Sequence, residues 1–179
     1  MSALYEQSRQ LFIQRWGEMG ANWGISRTMA EIHALLFVSP EPLCTDDVMA
    51  QLQVSRGNTS MNLRQLVNWG LISRVHLPGD RKEYFAGEND VWQMFETITR
   101  ERRRREVEPI IETIERCQSM VRDDLKRLRG AERHQVQEYN RRLTEMADFL
   151  NVMNTLFNVV MKAGHKNLAR LTKALARLM

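Results

Sequence analysis

The chain has 179 residues, of which 43% are hydrophobic and 27% are charged, and its formal net charge is +4. This composition is typical of a folded globular protein and argues against a disordered chain. With only 9 glycines and 4 prolines, the sequence also argues against a β-sandwich or barrel built from many turns. Its Met, Leu, Glu and Arg content favours a mainly α fold.

Two helices are predicted before the first proline-rich loop. Apolar residues recur at helical spacing over residues 3–20, and residues 20–24 (GANWG) break that pattern. Thr28 and Glu31 have the spacing of a capping box, which predicts the start of the second helix. This helix should end before Pro40, because a proline disfavours helical backbone at the residue that precedes it.

The next segment has the order of a helix-turn-helix followed by a hairpin. A short helix starts at Thr45, and Ser55 is a suitable N-cap for the next helix, which runs to about Trp69. Counted from the helix that starts near Thr28, this is the third helix. Residues 71–86 then alternate as two strands around a turn over 77–82. Three helices and a two-stranded hairpin in this order predict a winged helix-turn-helix.

From Asp90 onward the chain is predicted to be helical. One long apolar stripe begins there, and Pro109 lies inside it as the expected site of a kink. A second long helix is predicted over about 131–163, ending at Gly164, and a final helix over 165–178.

The third helix has one face that suits contact with a DNA duplex. At 3.6-residue spacing Thr59, Leu63 and Leu66 face the core, which leaves small or polar residues and one long cation on the opposite face. Such a face fits a major groove about 12 Å wide, and small residues near the helix start let the backbone approach phosphates. The predicted contact residues here are Ser55, Arg56, Gly57, Asn58, Ser60, Met61 and Arg64.

The hairpin tip adds a second basic element. Gly79, Arg81 and Lys82 lie in the turn that a wing would present to phosphates or to the minor groove. Across residues 53–82 five basic side chains face one acidic side chain, so the local charge also fits a polyanion. A solvated surface would explain each signal alone, and their combination favours a DNA-binding domain.

Four strings of this half of the chain resemble the GbsR-like branch of the MarR superfamily of winged helix-turn-helix regulators: 39–43 (SPEPL), 54–64 (VSRGNTSMNLR), 68–72 (NWGLI) and 79–82 (GDRK). The resemblance covers roughly residues 1–110 and implies a bacterial dimeric transcription factor, usually a repressor. Thr59 departs from the family, which often has an aliphatic residue there. Members with known effectors respond to choline-type ligands, so the resemblance alone implies a choline- or betaine-type effector.

The elements divide the chain into two predicted domains. Residues 1–89 form a winged helix-turn-helix DNA-binding domain with an N-terminal helix, and residues 90–179 form a helical dimerisation domain. The helical part has more apolar stripe than two helices can bury between themselves, which favours a homodimer over a monomeric bundle. A two-fold dimer would place recognition helices in major grooves about 34 Å apart and would read a pseudo-palindromic, double-stranded operator.

The last predicted helix, over 165–178, is basic and lined by leucines. Such a helix could lie on a membrane surface. Packing of the leucines against a partner helix is the favoured interpretation, so no membrane association is expected.

Four aromatic residues, Trp16, Trp23, Trp92 and Phe95, could form a small-molecule site near the seam between the two predicted domains. Aromatic rings can cage a quaternary ammonium by cation–π attraction. Aromatic residues at helical spacing are more often core, however, and that interpretation is favoured.

The run Arg100–Arg105 (RERRRR) has two interpretations. It could make a second phosphate contact along the long helix. The favoured interpretation is a solvated charged face, because Arg102 can pair with Glu106, and Glu101 with Arg105, at i,i+4 spacing.

The sequence lacks the motifs of an enzyme or a metal site. It contains no G-x-S-x-G, P-loop or G-x-G-x-x-G motif, and its histidines are scattered, with His33 expected to be structural. Its two cysteines have no partners at metal spacing, and two thiols without a secretory signal favour a cytoplasmic protein. We therefore expect no catalysis, cofactor or metal. The alternative function is a helical scaffold or adaptor whose winged domain binds protein.

Overall fold

Helices make up most of the chain, as the composition predicts. The computed structural model describes the backbone of residues 2–175 and the side-chain surroundings of residues 2–162. The chain divides between Ile98 and Thr99 into two compact units, here called the N-terminal unit and the helical unit. None of the helices within residues 2–175 combines the length and the hydropathy that a bilayer crossing requires.

The N-terminal unit contains the predicted winged helix-turn-helix. Its third and fourth helices form the helix-turn-helix, and the last two strands form the wing. In chain order the elements are α1 (Ala3–Asn22), α2 (Arg27–Val38), β1 (Leu43–Cys44), α3 (Thr45–Leu52), α4 (Arg56–Trp69), β2 (Ile72–Val75), β3 (Tyr84–Gly87) and the start of α5 (Val91–Arg102).

The prediction that Thr28 and Glu31 form a capping box at the start of α2 is wrong. The cap is Ser26, whose hydroxyl accepts a hydrogen bond from the backbone N–H of Met29 at 3.4 Å. Glu31 instead accepts from the Arg27 guanidinium at 2.8 Å. Ser26 is the better placed cap because it lies one residue outside the helix with a non-helical backbone, whereas Thr28 is already inside the first turn.

The sheet has a third strand that the sequence pattern did not predict. The strand order is β1-β3-β2, and both pairings are antiparallel. Leu43 lies opposite Phe85 on one side, and Ile72 lies opposite Gly87 on the other. The two-residue strand β1 therefore ties the segment before α3 to the root of the hairpin.

The hairpin root packs directly on the backbone of α2 at Gly87. A Cβ atom at this position would lie 2.9 Å from the carbonyl carbon of Leu36 and 2.9 Å from the amide nitrogen of Phe37. Backbone atoms at that distance cannot yield as a flexible side chain can. Only glycine therefore permits this approach of β3 to α2.

The core of the N-terminal unit surrounds α2. Ile32 and Leu35 are fully buried, and they belong to one cluster with Leu63 and Leu66 of α4 and with Phe85 of β3. Burial of such side chains contributes about 1.5–3 kcal/mol each to folding. Helix α4, which carries the predicted DNA-contacting face, and the wing thus pack on the same apolar cluster.

His33 lies in this core, 3% exposed, with its ring centroid 5.9 Å from that of Trp16. Its Nε2 atom is buried, and no residue in the described part of the chain pairs with it. Burial disfavours the charged imidazolium and lowers the pKa of His33 to about 4.

We expect acid to destabilise the protein through His33. The unfolded chain takes up this proton near pH 6.5, whereas the folded chain resists it until about pH 4. Stability is therefore complete above the unfolded pKa and falls as the pH decreases through this window, by roughly 3 kcal/mol in total. Urea unfolding of His33→Leu between pH 7 and pH 4 should lack this fall. The exposed-site control His76→Gln should retain it, and an unchanged fall in His33→Leu would contradict the assignment.

The helical unit begins within the helical segment that the sequence predicts from Asp90 onward. It also contains one very long helix. Its elements are a π-helix (Arg103–Val107), α6 (Glu108–Val121), α7 (Asp124–Arg127) and α8 (Gly130–Leu175). The prediction that Gly164 ends a helix is wrong, because α8 continues through it to Leu175. A glycine inside a helix costs only about 1 kcal/mol, which the rest of a 46-residue helix can offset. The surroundings of the leucines predicted at 165–178 lie outside the described side chains.

The π-helix accounts for the disturbance predicted at Pro109. Proline lacks an N–H and its ring clashes with the carbonyl four residues earlier, so a regular α-helix cannot pass through it unchanged. Here the N–H of Glu108 donates to the carbonyl of Arg103, five residues back, and Pro109 lies in the first turn of α6. The wider turn places the irregular backbone before the proline.

The helical unit exposes a broad apolar stripe on α8. Its residues recur at heptad-like spacing, and α8 packs on α6. Ile114 on α6 is buried, whereas the α8 stripe is about half exposed or more. The stripe consists of Met146, Phe149, Val152, Met153, Leu156 and Val159.

Candidate nucleic-acid interface

Helix α4 has the two faces that the sequence predicts. Ser55 caps its start by accepting from the N–H of Asn58 at 3.4 Å, and Gly70 ends it with a left-handed φ of 75°. Thr59, Leu63 and Leu66 are buried. On the other side Arg56, Gly57, Met61 and Arg64 are exposed, with Met61 at 56%. This exposed face is available for contact with a groove.

Polar side chains on the inner side of α4 fix the helix rather than facing outward. Asn62 is buried and its amide donates to the backbone carbonyl of Asn58 at 2.8 Å and to the Asn58 side chain at 2.7 Å. The Asn58 amide in turn donates to Thr28 Oγ1 at 3.5 Å. Asn58, a predicted contact residue, is therefore half-buried and engaged with α2 and α4. The sequence pattern did not place Asn62 in the core.

Thr59 stands in the core where the resembling family often has an aliphatic residue. Its hydroxyl donates to the carbonyl of Ser55 at 3.0 Å, so the buried oxygen has a partner within its own helix. The hydroxyl that distinguishes Thr59 from an aliphatic residue is thus hydrogen-bonded within α4, next to the N-cap.

The wing tip is shaped by Asp80. One carboxylate oxygen accepts from the N–H of Lys82 at 2.9 Å, and the other accepts from the Tyr84 hydroxyl at 2.7 Å. These bonds lower the pKa of Asp80, the Lys82 N–H being the larger cause, and the bond to Asp80 raises the pKa of Tyr84 to about 12. Gly79 takes a φ of 83° in the turn. Arg81 and Lys82 are exposed at this tip.

Asp46 joins the start of α4 to the wing. The Arg56 guanidinium contacts one of its carboxylate oxygens, and the Lys82 ammonium lies 3.7 Å from the other. Asp46 is in the first turn of α3, so one exposed carboxylate connects three elements. Two predicted DNA contacts, one on α4 and one on the wing, are thereby shown to lie on the same side of the domain.

We expect Asp46→Asn to strengthen binding to random-sequence duplex DNA. The substitution removes a negative charge that would compete with phosphates for Arg56 and Lys82. The slope of log affinity against log salt should steepen by about one unit. Folding stability should change by less than about 1 kcal/mol, because exposed ion pairs contribute little. Fluorescence anisotropy at several salt concentrations measures the effect.

Asp47→Asn is the matched control for Asp46→Asn. Asp47 accepts from the backbone N–H of Cys44 at 2.9 Å and so caps the start of α3. Its loss should lower the melting temperature, with a smaller change in DNA affinity. Equal DNA effects of the two variants would contradict the special role of Asp46.

The four aromatic residues predicted as a ligand site have different surroundings. Trp16 is half-buried, and its ring centroid lies 5.6 Å from that of Phe12. Trp23, Trp92 and Phe95 are each nearly half exposed. None of the four lines the groove of about 690 Å³ that lies between α1, α2 and the loop over 39–43.

In the arginine run, ion pairs with glutamates dominate. Arg102 donates twice to Glu106 at 3.2 Å, as predicted, and Arg104 lies 2.8 Å from Glu101. These pairs fit the solvated-face interpretation.

Comparison with known proteins points to the same region. The model "MarR family" matches residues 23–83, which contain the helix-turn-helix and most of the wing. The repressor GbsR of Bacillus subtilis is 26% identical over 117 residues, which are 65% of this chain and 64% of GbsR. The regulator MmpR5 of Mycobacterium tuberculosis is 29% identical over 75 residues, which are 41% of this chain and 46% of MmpR5. The chain thus spans less than two thirds of either relative.

A solved structure described as a transcriptional regulator is also similar. It is 25% identical with a TM-score of 0.58, and the match covers 87% of this chain and 96% of that one. The family match includes α3, α4, β2 and the turn of the wing. Over residues 23–83 the chain therefore resembles the MarR family, and over 117 residues it is similar to the repressor GbsR.

Proposed function

We propose that the protein is a sequence-specific, DNA-binding transcriptional regulator. The observation that carries this proposal is that the exposed face of α4 lies beside the basic wing tip. Arg56 of α4 and Lys82 of the wing both form ion pairs with the Asp46 carboxylate. Ser55, Gly57 and Ser60 would allow close approach to the phosphates, and Met61 and Arg64 would face base edges. Gly79, Arg81 and Lys82 would contact the backbone beside the groove. Asn58 would position α4 through its inward hydrogen bonds.

Homodimerisation is the second part of the proposal. The apolar stripe on α8 is exposed within one chain, and a second copy would cover it with an identical stripe. A two-fold dimer would carry two α4 helices and would select a pseudo-palindromic operator.

Likeness to the repressor GbsR supports repression as the mode of action. The family resemblance of the sequence implies a small-molecule effector of choline or betaine type. Trp16, Trp23, Trp92 and Phe95 are the candidate cage for such a cation. Thermal-shift measurements with choline and betaine test the effector. If neither raises the melting temperature, the aromatic residues are structural. A regulator of this kind would act without catalysis, in the cytoplasm where the DNA is.

Selection of bound fragments from random duplex DNA tests the function. A two-fold symmetric motif is expected, and its affinity should fall linearly in log salt as counterions are released. The alternative, a scaffold or adaptor whose winged domain binds protein, predicts that no motif is enriched. Binding through an apolar protein interface would also lack the steep salt dependence.

A further inference from the structure

Met61 gives the exposed face of α4 an apolar side chain. It is 56% exposed, and it is the only exposed large apolar side chain among residues 56–69, all of which the structure describes. The other large apolar residues of this helix are buried or half-buried. Packing within the fold therefore does not account for a large apolar side chain at this position.

Met61 belongs to a strip of exposed residues along α4, which consists of Gly57, Met61, Arg64 and Asn68. Their spacing of four, three and four residues places them on one face of the helix. Because an α-helix rises about 1.5 Å per residue, Met61 and Arg64 are separated by about 4.5 Å along the helix axis. Successive base pairs lie about 3.4 Å apart, so a duplex along this strip would present bases one or two pairs apart to the two side chains.

Gly57 leaves the turn before Met61 without a side chain. A Cβ atom at Gly57 would have no atom from the rest of the described chain within 4 Å, so packing inside the protein does not require a glycine there. Gly57 also has no positive φ, and in a regular helix alanine is more stable than glycine. A molecule that approaches α4 from outside explains the glycine, because a bare backbone permits the closest contact.

The distinctive apolar group of the major groove is the C5-methyl of thymine. The other groups that identify base pairs there are hydrogen-bond donors and acceptors, with which a thioether interacts only weakly. Phosphates are bound by cations and N–H groups, which methionine lacks in its side chain. An unbranched, polarisable methionine side chain adapts well to an apolar contact. The chemistry of Met61 therefore matches thymine better than any other part of a duplex.

We propose that Met61 reads a thymine of the operator through its C5-methyl group, and that Gly57 lets α4 approach closely enough for this contact. The inference rests on the proposed function, since it requires the exposed face of α4 to enter the major groove. It adds the identity of a base. The thymine lies within about two base pairs of the position that Arg64 contacts.

Replacement of single thymines by uracil in the operator selected from random duplex DNA tests the proposal. Uracil lacks only the C5-methyl and keeps the hydrogen-bonding groups of thymine. At one thymine of each half-site, the full-length protein should bind the uracil operator about fourfold more weakly, because the burial of one methyl group is lost. Uracil at the remaining thymines is the control and should change the affinity by less than about twofold. Fluorescence anisotropy measures the affinities.

Variants assign the methyl contact to Met61. Met61→Ala should bind the thymine and uracil operators equally, whereas Met61→Leu should restore the difference because leucine has an apolar side chain of similar volume. Met120→Ala is the matched control, since Met120 is 70% exposed on α6 and should not affect the ratio of the two affinities. Gly57→Ala should raise the melting temperature and still weaken operator binding about fivefold or more.

The outcomes separate this inference from the proposed function. If selection enriches no motif, the proposed function is contradicted and the inference with it. If a motif is enriched but none of its thymines is sensitive to uracil, the inference is overturned and the proposed function stands. The same conclusion follows if Met61→Ala keeps the sensitivity to uracil. Wild-type operator affinity of Gly57→Ala overturns the role of Gly57.

Discussion

Leu156→Asp is expected to separate the proposed dimer and to reduce operator affinity by several orders of magnitude. Leu156 is half exposed within the chain, in the middle of the apolar stripe on α8. In a two-fold dimer the substitution would bury two unpaired carboxylates, each costing several kcal/mol. A monomer would also carry only one α4, so the gain from binding two half-sites would disappear. Sedimentation at micromolar concentration and a gel-shift assay measure the two effects.

Asn151→Asp is the matched control for Leu156→Asp. Asn151 is exposed on the same helix, away from the apolar stripe, and receives the same new charge. This variant should remain dimeric and should bind the operator nearly as the wild type does. The proposed interface is contradicted if the wild-type protein sediments as a monomer. It is also contradicted if Leu156→Asp remains a dimer.

Arg64→Ala should relax base preference at one operator position and cost about 1–3 kcal/mol if Arg64 contacts a guanine. Arg64 is exposed near the middle of α4, where its Nε donates to the Ser60 carbonyl at 3.2 Å. Truncation to alanine leaves the helix backbone intact and removes the long cation of the exposed face. Competition between the selected operator and single-base variants measures the loss of preference.

Lys82→Ala is the comparison for Arg64→Ala. Lys82 is exposed at the wing tip beside Asp46, where it would meet the sugar–phosphate backbone. Its removal should weaken binding to every sequence without changing base preference. The slope of log affinity against log salt should become shallower by about one unit, because one phosphate contact is lost. Wild-type binding by both variants would show that these faces do not contact DNA.

Local patterns predicted the helix-turn-helix closely. The third helix was expected from Ser55 to about Trp69, and the structure has Arg56–Trp69 with Ser55 as the cap. The apolar residues of α4 and its exposed face follow directly from helical spacing. The arginines and lysine of the proposed site could be named for the same reason, because their exposure depends mainly on position along a helix or in a turn.

The features that the sequence did not reveal depend on distant partners. Strand β1 has only two residues and is a strand because it pairs with β3, some forty residues later. The ion pairs of Asp46 with Arg56 and Lys82 likewise require the folded arrangement of three elements. Asn62 is polar and fits no apolar pattern, yet it is buried, and its amide donates to Asn58, which in turn donates to Thr28 on α2, thirty residues away. Single-residue chemistry cannot indicate such contacts.

The close approach at Gly87 has a mechanical consequence for regulation. Because β3 packs on the main chain of α2 without an intervening side chain, no side-chain movement at this contact can absorb a shift of that helix toward the hairpin. Its far end is stiffened separately by the bonds of Asp80 to Lys82 and Tyr84. A molecule that tilts α2 by a few degrees would therefore swing the basic tip as a lever, converting a small displacement at the helix into a larger one at the phosphates.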